Sequence, residues 1–387
     1  MRIAIDAMGI TKAGGGRTAT LNLLEPLVAL DHENEYLIFV DETEPSLNGY
    51  PNVRQYQVRI RSRFLARLWA QAVLPVLLRR ERIDIMHYAR NLGAFFTPGH
   101  SVLTIYDMTT LLHPEVYPSM DVLYWRTVQR LMVRNMDRII AISESTAHDV
   151  KRIYGLPDEK VVVIPCAHYS RYRPVSAKEI HQVRSRYNLP KEFILHVGSI
   201  SPKKNLPTLV RAFERLKQEG YPGALVLVGR VYRSGQDSVL LREIEASKES
   251  DSIMLTGPVP DEDLPALYSA ARVFAFPSLH EGFGLAPLEA IACGTPVVAS
   301  RTPAVVEVLG DAGTFVESPH DDEEMARQIV HQIARLLSDD DLWQEMRARG
   351  LERARRYSGA EVARRTLDLY QSLAIPHKKA GRDLFHP

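Results

Sequence analysis

At 387 residues, 45% hydrophobic and 25% charged, the chain is long enough for two domains with a core each, at roughly 100–200 residues per domain. Its 48 basic and 47 acidic side chains leave a formal net charge of +1 and are mostly interleaved, so nothing requires a polyanionic partner and no nucleic acid is expected. Cys166 and Cys293 are too few for a disulfide framework, and neither stands in metal-ligand spacing. The N-terminal apolar run is broken by Asp6 and no window approaches the ~20 apolar residues of a membrane span, so a cytoplasmic protein is expected.

In chain order, short β-branched runs alternate with longer amphipathic stretches, the pattern of βα units around parallel sheets. Strands are predicted at Arg2–Asp6, Tyr36–Val40, Ile83–Tyr88, Val102–Tyr106, Arg138–Ser143 and Val161–Pro165. Helices are predicted at Thr18–Leu30, Phe64–Glu81, Val122–Asn135 and Glu144–Tyr154, the last stopped by Gly155 and Pro157. A second series of strands falls at Phe193–Val197, Leu225–Val228, Ile253–Leu255, Val273–Phe276, Pro296–Ala299 and Thr314–Val316. Ala167–Val175 reads as a linker between domains spanning 1–170 and 176–358, with a last helix near 359–375 expected to return to the first domain. A cleft between the two sheets should follow, faced by the loops at Gly198, Gly229 and Gly257.

The segment from Ser278 to Pro296 carries the most chemistry. Pro287 suits the first turn of a short helix, Gly294 its left-handed exit, and Pro296 forbids continuation, so a helix from about Pro287 to Cys293 is expected. Gly282 and Gly284 let the backbone approach a ligand, and the free amides at Leu285 form an anion site suited to a diphosphate. Glu281 before the helix and Glu289 in its first turn offer two carboxylates, one reaching out to a sugar and one accepting from a diol. Alternatively, Glu289 merely complements the helix dipole and Glu281 is a solvated loop residue.

A second segment, His196 to Leu206, ends a strand in Gly198 and carries Lys203 and Lys204 before a helix that starts near Pro207. Lysines there can neutralise a departing diphosphate, with Lys204 the first candidate; the alternative is a pair of solvated loop charges. Gly14-Gly15-Gly16 with Ala19 satisfies a dinucleotide fingerprint, and Asp41 lies near the distance of a ribose-binding acid, which keeps an NAD-dependent oxidoreductase as an alternative. The glycines come too long after Asp6 for the tight turn that motif needs. An epimerase or a non-catalytic nucleotide-sugar-binding protein also stays open. Asp261-Glu262-Asp263 has a metal-binding form, but it reads better as the acidic start of a helix Leu264–Ala271, so no metal is expected.

Together these segments resemble the family 4 retaining glycosyltransferases, over nearly the whole chain and most specifically in the second half. The resemblance implies the GT-B fold, two Rossmann-like domains facing each other across a cleft, and a nucleotide diphosphate sugar (UDP-, GDP- or ADP-sugar) as co-substrate with no cofactor. The acceptor would be a glycan, a lipid-linked sugar or a small molecule, held by the N-terminal domain. It implies that Glu281 contacts the donor sugar, that Phe283, Gly284 and Leu285 line sugar and phosphates, and that Glu289 holds the ribose. Lys204 falls at a diphosphate-binding position, and Val259 in the loop after Gly257 at the nucleobase. Gly15 and Gly16 resemble the family's glycine loop near the phosphates. Where relatives carry Arg after the phosphate-loop glycine this chain has Ser199, so Lys203 or Arg230 is expected to supply the charge. Where they read His-Asp it has Tyr106-Asp107, which puts the donor sugar in question: a phenol leaves less room beside C6, favouring a pentose or 6-deoxy sugar if it faces the donor, and an ordinary hexose if it packs away. The family is thought to work by front-face attack, with the departing phosphate oxygen taking the acceptor's proton.

Between Arg59 and Arg82, Phe64, Leu65, Leu68, Trp69, Ala72, Val76 and Leu77 recur at helical spacing among seven arginines. The preferred reading is a helix packed on the N-terminal sheet with its basic residues outward; contact with an anionic membrane surface stays open. The polar tail Pro376–Pro387 is expected to be mobile. Nothing in the sequence indicates an oligomeric state.

Overall fold

A computed structural model describes residues 1–8, 15–60, 62–230, 237–317 and 321–374, so Gly14 and the tail 376–387 lie outside the described residues. The chain divides into two compact units, one of Met1–Ile142, Ala147–Ile164 and Gly359–Pro387, the other of Ser143–Thr146 and Pro165–Ser358.

The N-terminal unit is built on seven parallel strands: β1 Arg2–Asp6, β2 Glu35–Val40, β3 Val53–Gln57, β4 Ile85–Tyr88, β5 His100–Ile105, β6 Arg138–Ala141 and β7 Val161–Val163. Their spatial order is β3-β2-β1-β4-β5-β6-β7. The chain winds outward from β1 to one edge, returns to β4 on the other side and winds to the opposite edge, so a switch point lies between β1 and β4. The central strands are mainly apolar because helices cover both faces, as β1 and β4 show with buried Ile3, Ile5, Ile85 and Met86. β3 was not predicted. Val-Arg-Gln-Tyr-Gln is an edge strand paired only with β2, half exposed, and its polar composition carries little apolar signal.

Three features depart from the predicted elements. The expected helix Phe64–Glu81 is two helices, Arg63–Ala72 and Leu74–Arg80, since Pro75 has no amide to continue the first. Trp69, Ala70, Leu74, Leu77 and Leu78 pack on the core. Leu65, Leu68, Val73 and Val76 stay exposed, so the outward face is apolar as well as basic. The helix from 119 to 135 widens into a π turn over Trp125–Gln129.

Helix Gly359–Ala374 packs on helix Gly15–Leu30, so closely that a Cβ at Gly359 would stand 2.5 Å from Pro26 Cγ. Tyr370 reaches the sheet, where its hydroxyl lies 2.6 Å from His87 Nδ1, and His87 Nε2 lies 2.8 Å from Thr104 Oγ1. Burial pushes the His87 imidazole down to about 3, so it is a neutral core residue, satisfied at both nitrogens.

The C-terminal unit has six parallel strands: β8 Phe193–Val197, β9 Ala224–Val228, β10 Ile253–Gly257, β11 Val273–Phe276, β12 Val297–Ser300 and β13 Gly313–Val316. The order β10-β9-β8-β11-β12-β13 puts its switch point between β8 and β11. Its helices bury Leu209, Phe213, Met325, Ile329 and Ile333 against the sheet.

Candidate functional site

The two chemistry-bearing loops of the C-terminal unit follow β8 and β11, the neighbours that flank its switch point, where open α/β sheets leave a crevice beyond the strand ends. After β8 the chain makes one tight turn, Pro202–Lys204, then enters helix Leu206–Gln218 through Asn205, which adopts a left-handed conformation (φ 49°). That turn sends the two lysines in opposite directions: Lys203 is exposed and Lys204 buried. Lys203 nonetheless ties the loops together, its carbonyl accepting from the Leu279 amide at 2.8 Å and lying 3.1 Å from the Ser278 hydroxyl oxygen.

Lys204 and Glu281 meet. The ammonium Nζ donates to Glu281 Oε1 at 2.6 Å and sits 4.5 Å from the centre of the Phe276 ring, while the Ser278 hydroxyl donates to the same Oε1 at 2.5 Å. Both groups are close to fully buried, with side-chain exposures of 10% and 11%. Burial works against both charges. It pulls the Lys204 ammonium below its usual range despite Glu281, whereas on Glu281 the neighbouring Lys204, aided by Lys203, prevails and keeps the carboxylate ionised. Oε2 of Glu281 has no partner among the described residues, so it is the oxygen left to accept from a ligand hydroxyl.

The three strand-end glycines line up because β8, β9 and β10 are neighbours. The Gly198 amide donates to the Val228 carbonyl at 2.9 Å and the Gly229 amide to the Gly257 carbonyl at 3.0 Å. A Cβ at Gly229 would stand 1.8 Å from the Gly198 carbonyl oxygen, an overlap that only separation of the loops can relieve. Gly229→Ala is therefore expected to lower stability by about 1–3 kcal/mol. Gly16→Ala, at a helical position with open space around its Cβ, should instead raise stability by ~0.5–1 kcal/mol; the urea midpoints of the two variants check this. Ser199 and Arg230 are exposed on the same loops, and Val259 is half-buried beyond Gly257.

The helix after β11 spans Leu285–Ala292, starting two residues before the expected Pro287. Gly284 caps it at φ 108°, a conformation that favours glycine, with Val305 Cγ2 3.2 Å from where a Cβ would stand. The first amides, at Leu285 and Ala286, have no partner inside the helix and point out of its N-terminus. The Phe283 ring is buried edge-on against Tyr357, with centroids 5.8 Å apart, so what Phe283 can present to a ligand is main chain. Glu289 lies in the second turn, not the first as the sequence suggested, because the helix begins earlier. It faces inward at 5% exposure and accepts a hydrogen bond from the Tyr268 hydroxyl at 2.9 Å and another from Tyr172. Burial pushes its carboxyl up to about 8 in spite of those two bonds.

Sequence reasoning missed Tyr172, Tyr268 and Ser278 as partners of the two glutamates. Tyr268 reaches Glu289 only through the packing of helix Leu264–Ala270 beside Leu285–Ala292, and no local spacing signals that. Asp263, considered as half of a metal motif, instead accepts from Arg186 at 2.6 and 2.7 Å and from the Tyr187 hydroxyl at 2.6 Å.

Gly15, Gly16, Tyr106 and Asp107 belong to the N-terminal unit. The two glycines are exposed in the first turn of helix Gly15–Leu30. Tyr106 follows β5, its amide donating to Asn91 Oδ1 at 2.7 Å and its hydroxyl to the Ala89 carbonyl at 3.0 Å, 3.3 Å from Thr20 Oγ1. Asp107 Oδ1 accepts from the Thr109 amide at 3.0 Å, closing the turn into the next helix.

Comparison with known proteins shows the family and the fold. Residues 177–356 match the family described as glycosyl transferases group 1, and residues 13–168 match glycosyltransferase family 4. The chain is 33% identical over 302 residues to the O-antigen chain mannosyltransferase B of Escherichia coli, covering 76% of each protein. It is 31% identical over 300 residues to the E. coli serotype-specific mannosyltransferase WbdA, spanning 36% of that longer protein. Among solved structures it shares its fold with sucrose-phosphate synthase from Thermosynechococcus elongatus (TM-score 0.76, 22% identity, 96% and 99% of the two chains). The same holds for Anabaena HepE, determined in complex with UDP and glucose (TM-score 0.76, 19% identity, 96% and 100%). Two parallel-sheet units, their strand-end loops and these relatives together identify the chain as a member of glycosyltransferase family 4, on the GT-B fold.

Proposed function

We propose that this glycosyltransferase moves mannose from a nucleoside diphosphate sugar onto a growing glycan, with retention at the anomeric carbon and without a metal ion. The observation that carries the reading is the buried Lys204–Glu281 pair at the switch point, with Oε2 of Glu281 left to accept a sugar hydroxyl. Mannose and a glycan acceptor are supported by the mannosyltransferases of O-antigen synthesis to which the chain is similar.

In this reading the C-terminal unit holds the donor and the N-terminal unit the acceptor. The leaving diphosphate lies at the amides of Leu285 and Ala286, near Lys204, with Lys203 and Arg230 as exposed auxiliaries. These groups supply the positive charge that a metal ion gives in other transferases, and Asp263 is already committed to Arg186 and Tyr187. The acceptor hydroxyl bonds to C1 as the C1–O bond to phosphate breaks, and its proton passes to the departing phosphate oxygen. Glu289 accepts the ribose hydroxyls, and Val259 lies against the base. The Tyr106 hydroxyl is engaged within its own unit, which supports an ordinary hexose over a pentose or 6-deoxy donor. The test is to offer nucleoside diphosphate mannose, glucose and pentose donors with a mannan oligosaccharide and chelator. Acceptor-dependent release of nucleoside diphosphate, with an α-linked product from an α-linked donor, is expected with mannose. Release that needs added metal, or an inverted linkage, would reject the mechanism.

A further inference from the structure

Exposed large apolar side chains in the N-terminal unit gather on three neighbouring elements. The paired helices Arg63–Ala72 and Leu74–Arg80 carry Leu65, Leu68, Val73 and Val76, the last at 64% exposure. The loop after β4 adds Phe95 and Phe96, and the helix from 119 to 135 adds Met120 (75%), Leu123 and Leu131. Specific contacts hold these elements side by side. Gln71 accepts from the Phe95 amide at 2.9 Å and donates to the Gly93 carbonyl, and Asn135 donates to the Phe95 carbonyl. Arg67 lies 4.1 Å over the Tyr124 ring and Arg79 5.2 Å over the Phe96 ring.

The charge of the same elements is one-sided. Arg59 to Arg82 holds seven arginines and one acid, Glu81, and Ser119 to Asn135 holds three arginines and one acid, Asp121, in a chain whose net charge is +1. Glu81 is taken by Arg54 at 2.5 Å and Arg2 at 3.6 Å, both outside these segments, and Asp121 stands 3.9 Å from Arg67, so among the described residues only Arg67 of the ten arginines has an acid of these segments as its ion-pair partner. So many large exposed apolar side chains on adjoining elements are uncommon on a free surface. Carried on the same elements as the arginines, two of which lie over its Tyr124 and Phe96 rings, this face is complementary to a surface that is apolar beneath and negative above.

We propose that this face docks on an anionic lipid bilayer, with leucine, valine, phenylalanine and methionine side chains entering the acyl boundary and the arginines meeting headgroup phosphates. None of the described helices is long and apolar enough to cross a membrane, so the contact is superficial. Docking would hold the enzyme where a membrane-anchored acceptor is presented. It does not depend on which sugar is moved.

The test is co-sedimentation of the full chain with vesicles of phosphatidylcholine alone and of equimolar phosphatidylcholine and phosphatidylglycerol, at low and high salt. Binding should require phosphatidylglycerol and weaken with salt. Leu65→Glu with Leu68→Glu should cut vesicle binding at least about tenfold. Arg80→Gln and Arg126→Gln, both at exposed positions, should cut it about five-fold each. All four substitutions should leave the thermal midpoint and turnover on a water-soluble acceptor unchanged. Failure of the folded wild type to bind phosphatidylglycerol vesicles, or equal binding to both compositions, overturns the proposal. So does light scattering that shows a dimer dissolved by Leu65→Glu, which would assign the face to a second copy of the chain.

Discussion

Lys204→Ala is expected to lower turnover about 10²–10³-fold, the loss that follows removal of one charged contact to a developing oxyanion, while Lys203→Ala has a far smaller effect. The asymmetry comes from the turn Pro202–Lys204, which buries one lysine against Glu281 and leaves the other in solvent. Lys204→Ala also strands the Glu281 carboxylate in a site with little water, and breaking a buried pair from one side costs about 3–5 kcal/mol. Stability and catalysis therefore have to be separated. Combining Lys204→Met with Glu281→Gln removes both charges and should recover most of the stability without recovering turnover, as urea midpoints and initial rates will show. Equal and small effects of Lys203→Ala and Lys204→Ala on rate would end the assignment of Lys204 to the diphosphate.

The second large effect concerns Glu289 and pH. Its carboxyl titrates near 8 in the folded protein against an ordinary value of 4.5, so between those values the folded chain keeps a proton that the unfolded chain has lost. Stability must then fall as pH rises through this window, level off above it, and be fully present below 4.5, the reverse of a salt-bridged carboxylate. At about 1.4 kcal/mol per unit, the window is worth a few kcal/mol. Glu289→Gln mimics the protonated form, so wild type and variant should match near pH 5, with the variant more stable by a few kcal/mol above pH 8. Nucleotide binding should show the opposite sign. Two ribose hydroxyls donating to the carboxylate favour its charged form, so wild-type affinity should rise toward pH 8 with release of a proton, and the Gln variant should bind weakly at every pH. Calorimetric titrations in buffers of different ionisation enthalpy measure that proton directly. A pH-independent affinity in the wild type would remove Glu289 from the ribose. Glu281→Gln should lower turnover more than nucleotide affinity, since Oε2 is assigned to the sugar.

Most of the strand framework was legible because buried parallel strands are continuous apolar runs, and twelve of those runs could be read directly; β3 was not, since an edge strand of Arg, Gln and Tyr lacks that pattern. Helix ends were legible where Gly or Pro stops the chain, as at Gly155 and Gly294. They were misread where an internal residue decides, as at Pro75, which splits one predicted helix into two, and at Gly284, whose left-handed cap starts the helix before Pro287. The outward face of the helices between Arg63 and Arg80 shows the same limit. Periodicity marks residues that are apolar, but it does not say which of two apolar stripes meets the sheet.

By itself the sequence determined the two α/β units, the family, and the residue types that could handle a diphosphate and a sugar, because these depend on local period, on glycine and proline conformation and on short motifs. Only the tertiary structure decided that Lys204 and Glu281 form one buried pair, that Tyr172 and Tyr268 hold Glu289, and that Asp263 belongs to Arg186 and Tyr187. Those partners are separated along the chain by 77 residues for Lys204 and Glu281 and by 21 for Tyr268 and Glu289. What joins them is strand order, which puts β8 beside β11, and helix packing on a shared sheet, and neither leaves a mark in the spacing of the residues that come to touch.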